Sequence, residues 1–381
     1  MYTIVQTKEL SAALALVKPC VSAQSKGTDP HILMTSDCTS VTLTATDRLT
    51  HVTTRIDGSS TSLGSASIPY TLFAASVAAT NNPTMALQQC DAKISLIDNG
   101  RTNAILPVDD QADMFIQFDK TPRTVATIAS SNLRTLIRTT AYASSPKKDY
   151  RSSLFHGVLC ETHHDMLRFV STDAYRLAVT TRPCIVAESW EPMHDIIIPV
   201  LALRKLEKML PKISTPVVLR VSELGGALSC TWNNTTLVIQ TTQGSYMPWS
   251  KLFPTAHETR LTFSIAAFLQ AIKDIMPIAQ RGDNALTLSI SAENSTVLTL
   301  SAMSSDASVS ASRTVQCDCT GSSLATIRVN YLYLLETFAS FDRSYDKASI
   351  DMTTKDGDPL VVMAHDDALN KAVIMPVRLV R

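Results

Sequence analysis

Ile197-Ile198-Pro199-Val200 marks the point where a β-rich run gives way to a helical segment. Comparable junctions stand 130 residues earlier and 131 residues later, and they are Ser67-Ile68-Pro69-Tyr70 and Arg328-Val329-Asn330-Tyr331. A period of this length is a whole domain, because solenoid repeats are only about 20–50 residues long. The sequence therefore predicts three like domains in one chain, an organisation that points to an arc or ring before it points to chemistry.

Each copy has two helical segments and several strand-like runs. The first helices carry apolar stripes at helical spacing, namely Leu10, Leu14, Val17 and Val21; Leu133, Leu136, Ile137 and Ala141; and Ile265, Phe268, Leu269, Ile272 and Met276. The second helices are predicted at Pro69–Ala79, Pro199–Leu210 and Asn330–Phe341, since proline in the first turn suits a helix start. Period-two runs such as Val41–Thr46 predict strands. We therefore predict an α+β fold with two helices on antiparallel strands in each of three domains, at 1–122, 127–254 and 255–381.

Composition excludes several classes of protein. Lys+Arg and Asp+Glu both number 34, so any attraction to phosphate must come from local placement of charge. The eight cysteines include no Cys-x-x-Cys pair, which favours reduced, buried thiols in a cytosolic protein. The apolar stretch Leu10–Val17 is interrupted by Lys18-Pro19, and no run approaches the ~18 apolar residues of a membrane span. The sequence predicts a soluble, intracellular protein.

Basic residues recur just after the first helix of each copy, in Gln24-Ser25-Lys26, Pro146-Lys147-Lys148 and Gln280-Arg281. The helices of the second copy add five more, Arg134, Arg138, Arg204, Lys205 and Lys208. Such a distribution suits a phosphate backbone that is held without base reading. Solvated side chains on loops and helix faces explain it equally well, so both interpretations stay open at this point.

Two polar constellations have a catalytic and a structural interpretation. Thr172-Asp173-x-x-Arg176 is compatible with an acid beside an arginine clamp, but such pairs are more often ion pairs or caps. His163-His164-Asp165 lacks a third and fourth metal ligand at suitable spacing, which favours a solvated turn. No Gly-x-Ser-x-Gly, Walker-type loop or Gly-x-Gly-x-x-Gly occurs. The sequence therefore predicts no catalytic residues and no metal site.

Val170-Ser-Thr-Asp-Ala-Tyr-Arg-Leu-Ala178 resembles the Thr-Asp-Gly-His-Arg-Leu-Ala signature of the bacterial β sliding clamp, the processivity factor of DNA polymerase III. Gly244-Ser-Tyr-Met-Pro-Trp-Ser-Lys-Leu-Phe-Pro254 and Val373-Ile-Met-Pro-Val-Arg-Leu379 resemble two further segments of that family in order and spacing. With Arg151–Gly157 and the Asn330–Phe341 helix, the resemblance spans the chain and is strongest from 130 to 254 and at the end.

Members of that family are three-domain chains that pair head to tail into a ring, with helices lining the hole. The resemblance implies a ring-shaped homodimer that encircles double-stranded DNA without sequence preference. It also implies partners that share one peptide site, among them the DNA polymerase III alpha subunit, the clamp loader and other proteins with a clamp-binding motif. It implies no catalysis, no cofactor and no membrane, and a cytoplasmic, nucleoid-associated location.

The resemblance and the charge pattern together give candidate site residues. The partner-peptide pocket is expected at Phe155, Thr172, Ala174, Tyr175, Arg176, Leu177, Met247, Lys251, Leu252, Pro359, Leu360, Val373 and Met375. DNA contacts are expected at Lys26, Lys147, Lys148, Arg151, Arg204 and Arg281, and the dimer interface at Arg101, Leu106 and Ile278.

The chain departs from the family pattern at the pocket. Ala174 replaces the usual glycine, Tyr175 replaces the frequent histidine, and Met247 stands where proline is usual. These changes bear on which peptide binds. Two other functions remain as alternatives: an α+β enzyme with a polar cleft between repeated domains, and a repeat scaffold that binds partner peptides without encircling DNA.

Overall fold

The computed structural model describes residues 1–21, 29–109, 122–145, 153–191, 195–222, 225–291, 294–321, 325–341, 345–353, 357–365 and 367–377. The chain forms two compact units. The first unit is built from 1–131 and 184–243, and the second unit from 132–183 and 244–381. Every strand pairing within them is antiparallel, and helices accompany each sheet, which confirms the α+β prediction. The division into three domains stays a prediction.

The first unit has one extended sheet. Its strands are β1 (Tyr2–Gln6), β2 (His31–Ser36), β3 (Ser40–Thr46), β4 (Thr50–Ser62), β5 (Gly64–Pro69), β6 (Thr84–Cys90), β7 (Lys93–Asp98), β8 (Arg101–Pro107), β9 (Arg123–Ala129), β13 (Ile185–Val186), β15 (Pro216–Val221), β16 (Ala227–Trp232) and β17 (Thr235–Gln240). A further strand, β14 (Ile196–Pro199), leads into the following helix and is not part of this sheet. Along the sheet the order is β13-β9-β15-β16-β17-β4-β1-β6-β7-β8, with β3 also on β4, β2 on β3 and β5 on β2. The pairing of β17 with β4 joins the first and second repeat copies in one sheet.

The helices of the first unit are α1 (Thr7–Val17), α2 (Tyr70–Ala78) and α4 (Val200–Met209), while α3 (Ser130–Thr140) starts at its border. The predicted stripe on α1 is buried at Leu10, Leu14 and Val17, which confirms its periodicity. Val21 lies beyond the helix, because Pro19 sits in the 3-10 turn that ends it. The prolines of the junctions occupy the N-cap position, so α2 and α4 begin one residue later than predicted.

The strands of the second unit are β10 (Gly157–His163), β11 (Met166–Thr172), β12 (Arg176–Pro183), β18 (Thr259–Ser264), β19 (Ala285–Ser291), β20 (Asn294–Met303), β21 (Ser310–Gly321), β22 (Ala325–Asn330), β23 (Lys347–Met352), β24 (Leu360–Ala364) and β25 (Asn370–Ile374). Their order is β10-β11-β12-β25-β24-β23-β18-β21-β20-β19-β22. The pairing of β12 with β25 joins the second and third copies in one sheet, a feature that the repeat alone does not predict.

Helices α5 (Ile265–Ala279) and α6 (Tyr331–Ser340) cover one face of this sheet. Phe268, Ile272 and Ile275 of α5 pack with Leu334 and Phe338 of α6 in a single hydrophobic core. The Asn330 side chain accepts a hydrogen bond from the Leu332 N–H at 2.9 Å, and this cap explains why the third junction has asparagine where the others have proline.

Burial corrects one prediction about the cysteines. All eight thiols are free, but only Cys20, Cys160, Cys230 and Cys317 are buried. Cys38 and Cys90 are exposed, because Cys38 lies in the turn between β2 and β3 and Cys90 lies at the end of β6. Among the helices in the described ranges, none has the length and apolar composition needed to cross a membrane.

Candidate functional site

The turn between β11 and β12 carries the signature Thr172–Leu177 and is fixed by its own side chains. The Thr172 hydroxyl donates to the Arg176 carbonyl oxygen at 2.6 Å and accepts from the Ala174 N–H at 3.0 Å. The Asp173 carboxylate accepts from the N–H groups of Tyr175 and Arg176 at 2.9 and 3.0 Å. Thr172 and Asp173 therefore fix the backbone conformation of the turn through local side-chain hydrogen bonds.

Ala174 has a positive φ of 75° in this turn. An L-residue in that region brings its Cβ close to the following carbonyl, at a cost of roughly 1 kcal/mol. Glycine avoids this cost, which gives a physical reason for the glycine that the resembling family usually has here. In this chain the hydrogen bonds of Thr172 and Asp173 hold the strained conformation.

Arg176 is the internal member of the turn and is only 9% exposed. Its Nε lies 3.1 Å from Asp173, its Nη2 donates to the Tyr142 carbonyl oxygen at 2.8 Å, and its Nη1 pairs with Glu336. The guanidinium also lies over two rings, 5.4 Å from Tyr142 and 4.7 Å from Tyr333. A planar guanidinium that reaches three partners with its three nitrogens and stacks on aromatic rings suits arginine and not lysine.

Tyr142, Tyr333 and Glu336 are neighbours of Arg176 that the sequence did not predict. They lie 34 to 160 residues from Arg176 along the chain. Their positions give no local signal, because the contact exists only once α6 packs beside β12. In the structure Thr172-Asp173-x-x-Arg176 is therefore an ion pair with local caps, which is the structural interpretation that the sequence favours.

Tyr175 is the outward member of the turn, with 47% of its surface exposed. Its ring stacks on Tyr333 at 6.4 Å between centroids and 20° between planes. Its carbonyl oxygen accepts from the Met375 N–H at 2.8 Å, and the Met375 side chain is itself partly exposed. We call Tyr175, Tyr333 and Met375 the turn surface; it offers apolar area beside a fixed backbone.

The apolar residues predicted for the pocket divide between two faces of the sheet. Leu177 pairs with Val373 in register, and both are buried, at 1% and 2% exposure. Leu360 pairs with Ile374, the next residue along β25, and both belong to the core under α5 and α6. Since alternate strand residues face opposite sides, Leu360 points away from Leu177 and Val373, and Val361 takes the place beside them.

The segment Tyr246–Leu252 packs against the signature turn. The Tyr246 phenol lies near the Thr172 backbone, and burial raises the pKa of this phenol well above its ordinary value. Met247 is half-buried, whereas Lys251 and Leu252 are exposed on a 3-10 turn. Phe155 and Pro359 are half-buried, and the Phe155 carbonyl oxygen accepts from the Ser145 N–H at 2.8 Å.

The histidine pair occupies the turn between β10 and β11. His163 and His164 are exposed, their ring centroids lie 4.4 Å apart, and His164 has a positive φ of 49°. In the ranges that the structure describes, no group of three His, Cys, Asp or Glu side chains is placed to hold a metal ion.

Two of the six predicted DNA-contacting residues lie in the described ranges. Arg204 on α4 and Arg281 after α5 are both exposed. Lys26, Lys147, Lys148 and Arg151 lie outside the described residues. The structure therefore places two accessible guanidinium groups and leaves the four loop residues as predictions.

Lys205, next to Arg204, is engaged inside the first unit. Its ammonium pairs with Asp47 and lies 3.5 Å from the Thr50 hydroxyl. Burial alone would raise the pKa of Asp47, but hydrogen bonds from Lys205 and Thr50 outweigh it and hold that pKa below its usual value. Lys205 thus stabilises the contact of α4 with the β3–β4 turn. Its charge is therefore not available to bind phosphate, unlike that of Arg204.

The predicted dimer residues lie at a sheet edge and at a helix end. β8 ends the sheet of the first unit, with Arg101 and Ile105 exposed and Leu106 turned inward at 6% exposure. Ile278 is half-buried near the end of α5. At this edge the exposed apolar side chain is therefore Ile105, one residue before the predicted Leu106.

Two family models match the chain. The central domain of the DNA polymerase III beta subunit matches residues 127–248, and its C-terminal domain matches residues 250–378. A beta sliding clamp of Synechococcus elongatus is 27% identical over 168 residues, which is 44% of each chain. A beta sliding clamp of Streptomyces coelicolor is 27% identical over 286 residues, which cover 72% of this chain and 71% of the relative.

The fold extends the match to the full length. The DNA polymerase III subunit beta of Pseudomonas aeruginosa superposes with a TM-score of 0.90 at 19% identity, covering 100% of both chains. The sliding clamp of Bacillus subtilis superposes with a TM-score of 0.88 at 19% identity, covering 99% of both. By its two matched domains, which together take up most of its length, this chain belongs to the DNA polymerase III beta subunit family.

Proposed function

We propose that this chain is a DNA sliding clamp, a non-catalytic ring that encircles duplex DNA and tethers the replicative polymerase. The observation that carries the proposal is the family match over 127–248 and 250–378, which lies on a chain whose first third repeats the same helix–strand phrase. A clamp needs shape and surfaces and no reacting groups. Asp173 and Arg176, the best catalytic candidates, bond to each other and to the backbone, in keeping with this role.

The proposed mechanism is topological. A closed ring stays on DNA without strong contacts, so its interactions with phosphate are weak, screened by salt and independent of sequence. Exposed Arg204 and Arg281, with the predicted Lys26, Lys147, Lys148 and Arg151, supply the attraction. A chain with 34 residues of each charge suits sliding, because a strongly basic surface would act as a brake.

Ring closure requires a second copy of the chain. The three domains, 1–122, 127–254 and 255–381, make half of a six-domain ring. Two chains therefore close the ring through two equivalent interfaces, which we call the joints. The edge strand β8, with Arg101 and Ile105, supports one side of the joint, and the α5 end near Ile278 supports the other. Strand edges that pair with a partner are protected from non-specific association.

Solution mass tests the joint. The wild-type chain of 41.4 kDa should have twice that mass at micromolar concentration, and Ile105→Asp should shift the equilibrium to the single chain. Ile213→Asp is the matched control, since Ile213 is also an exposed isoleucine of the first unit but lies away from β8. A single-chain mass for the wild type would contradict the ring.

The turn surface and the Met247–Leu252 segment form the proposed partner site. Tyr175, Met375 and Leu252 are exposed apolar side chains, which suit the leucine or phenylalanine anchors of a short peptide tail. Such a tail must be ordered on binding, so its affinity is modest and polymerase and loader exchange on one site. Activity at the nucleoid, in the cytoplasm, follows from this role.

A groove peptide tests the site. A short Leu/Phe-bearing tail peptide should bind the wild type, and Leu252→Asp should weaken it by at least tenfold because a charge replaces an apolar anchor. Leu332→Asp, which changes an equally exposed leucine on α6, is the control. Equal affinity for the wild type and Leu252→Asp would contradict the assignment of this segment.

A further inference from the structure

A cavity lies on the face of the second unit's sheet opposite α5 and α6, and it shares no residue with the predicted pocket. It holds about 350 Å³, and its floor is formed by Val179, Val361, Met363 and Leu369 from β12, β24 and the turn before β25. Trp249, Phe253 and Pro254 rise along one side of it. Its volume falls in the ~300–1,000 Å³ range typical of ligand sites.

The wall at Trp249 is held in place by polar contacts. The indole Nε1 donates to Glu161 at 3.1 Å, and the Arg168 guanidinium lies 5.3 Å over the indole ring. Arg168 also reaches the second oxygen of Glu161 at 3.4 Å. Phe253 meets Trp249 edge to face at 6.2 Å. The indole is therefore a fixed aromatic wall, ready to contact an apolar side chain at little cost in ordering.

The opposite wall is an ion pair. Arg260 holds Asp351 with two parallel hydrogen bonds, at 2.6 and 2.7 Å, and Asp351 is fully buried. The His257 Nε2 lies 3.7 Å from the same carboxylate. Asp351 is thus neutralised by its own neighbours and does not repel an incoming anion.

Charge in the cavity favours an anion. Its lining has three Lys or Arg side chains and one carboxylate, Asp351. Arg168 and Arg260 are paired with carboxylates, whereas Lys371 has none within 4.0 Å in the described part of the chain. A carboxylate of the ligand is the complement of this ammonium, and partial burial raises the strength of such a pair.

The cavity continues the face that carries the predicted pocket. Leu177 pairs with Val373, and Val373 pairs with Val361, so these three form one cross-strand row. Val179 and Lys371 form the next row, two residues along each strand. Two residues of strand span about 7 Å. Tyr175 and Met375 of the turn surface stand one row before Leu177 and Val373, so a peptide anchored there reaches the cavity within a few residues.

We propose that this cavity binds the acidic flank of the partner tail whose core anchors at the turn surface, which rests on the proposed function. A large apolar or aromatic side chain of the flank enters between Trp249 and the Val361–Met363 floor, and a neighbouring carboxylate pairs with Lys371. The cavity thus selects among partners: a tail with an aromatic–acidic flank binds more tightly than one with the core alone.

The free flank tests the cavity without the core. Acetyl-Phe-Asp-Asp-amide should shift the Trp249 indole N–H resonance of the full-length protein in a saturable way. Lys371→Glu, and more mildly Lys371→Gln, should weaken this binding by about tenfold or more, whereas Lys347→Glu on the same sheet should not. Absence of a shift, or an equal response to acetyl-Phe-Lys-Lys-amide, overturns the proposal.

Longer peptides separate this inference from the proposed function. The groove peptide extended by Phe-Asp-Asp should bind the wild type about tenfold more tightly than the groove peptide alone, and Lys371→Glu should remove the gain. If the groove peptide binds and the extension adds nothing, the cavity is not a peptide site and the clamp assignment stands. If the flank shifts Trp249 while the groove peptide fails to bind, the groove assignment falls and the cavity stands.

Discussion

Tyr175–Arg176 in the second unit and Arg204–Lys205 in the first unit are two pairs of adjacent residues that differ in exposure. In each pair one side chain is exposed, Tyr175 and Arg204, and the next is engaged internally. Arg176 binds Asp173, Glu336 and the Tyr142 carbonyl, and Lys205 binds Asp47. A charged residue in a functional motif is therefore no guide to whether its charge is available.

The two engaged cations differ in how completely they are held. Arg176 is 9% exposed and lies between two tyrosine rings, whereas Lys205 has one carboxylate and is more accessible. We therefore expect loss of Arg176 to cost stability most, loss of Lys205 less, and loss of Tyr175 or Arg204 to change binding and leave stability almost unchanged.

Arg176→Met gives the largest effect. Removing the guanidinium leaves the buried Asp173 carboxylate without its cation, so we expect the free energy of unfolding to fall by about 3–5 kcal/mol. Urea unfolding measures it, with Arg204→Met as the control that should stay within about 0.5 kcal/mol of wild type. A loss below about 1 kcal/mol for Arg176→Met would mean that its contacts do not hold the turn.

Lys205→Met should cost about 1–3 kcal/mol near neutral pH, since Asp47 then lacks its strongest donor. The folded pKa of Asp47 is lowered, so its contribution to stability is present above the unfolded value of about 3.9 and is lost as the pH falls through the folded value. The difference between wild type and Lys205→Met should therefore shrink from pH 6 to about pH 3. A difference that grows with acid would refute the pairing.

Tyr175→Ser should weaken binding of the groove peptide by about tenfold, or ~1.4 kcal/mol, with unchanged stability. Fluorescence anisotropy of a labelled peptide measures it, and Arg204→Ser should bind the peptide like wild type. Leu177→Lys is a poorer test, because Leu177 is 1% exposed and a lysine there would unfold the sheet. Unchanged affinity for Tyr175→Ser would remove the turn surface from the site.

Ala174→Gly should have the smallest effect and the opposite sign. It relieves the positive φ of 75°, so we expect a gain of about 0.5–1 kcal/mol in the free energy of unfolding. Ala267→Gly, on the exposed side of α5, should lose about 1 kcal/mol because its backbone is helical. If both substitutions destabilise equally, Ala174 carries no strain.

Much of the fold could be predicted from the sequence, because helices and strands leave periodic apolar patterns. The six helices of the described chain lie where the stripes at Leu10, Leu133 and Ile265 and the three junctions place them. The pairing of β4 with β17 and of β12 with β25 was not predicted. Such pairings join residues far apart in sequence, and strand composition alone does not specify a partner.

The candidate site was predicted in part. The Thr172–Leu177 turn could be predicted, because its side-chain hydrogen bonds join residues no more than four apart. The burial of Leu177, and the fact that Leu360 points to the other face of the sheet, depend on the register of the strands. A one-residue slip would move each side chain to the opposite face. The engagement of Lys205 depends on Asp47, 158 residues away, which leaves no trace in the motif.

Retention on DNA tests the central claim, that the chain acts as a closed ring. The protein is loaded on a nicked circular duplex, freed of unbound chains by gel filtration, and followed before and after one cut that linearises the circle. The account predicts a long residence on the circle, rapid loss from the cut DNA, and poor retention of Ile105→Asp on either form. Equal retention of the wild-type protein on circular and linear DNA would contradict it.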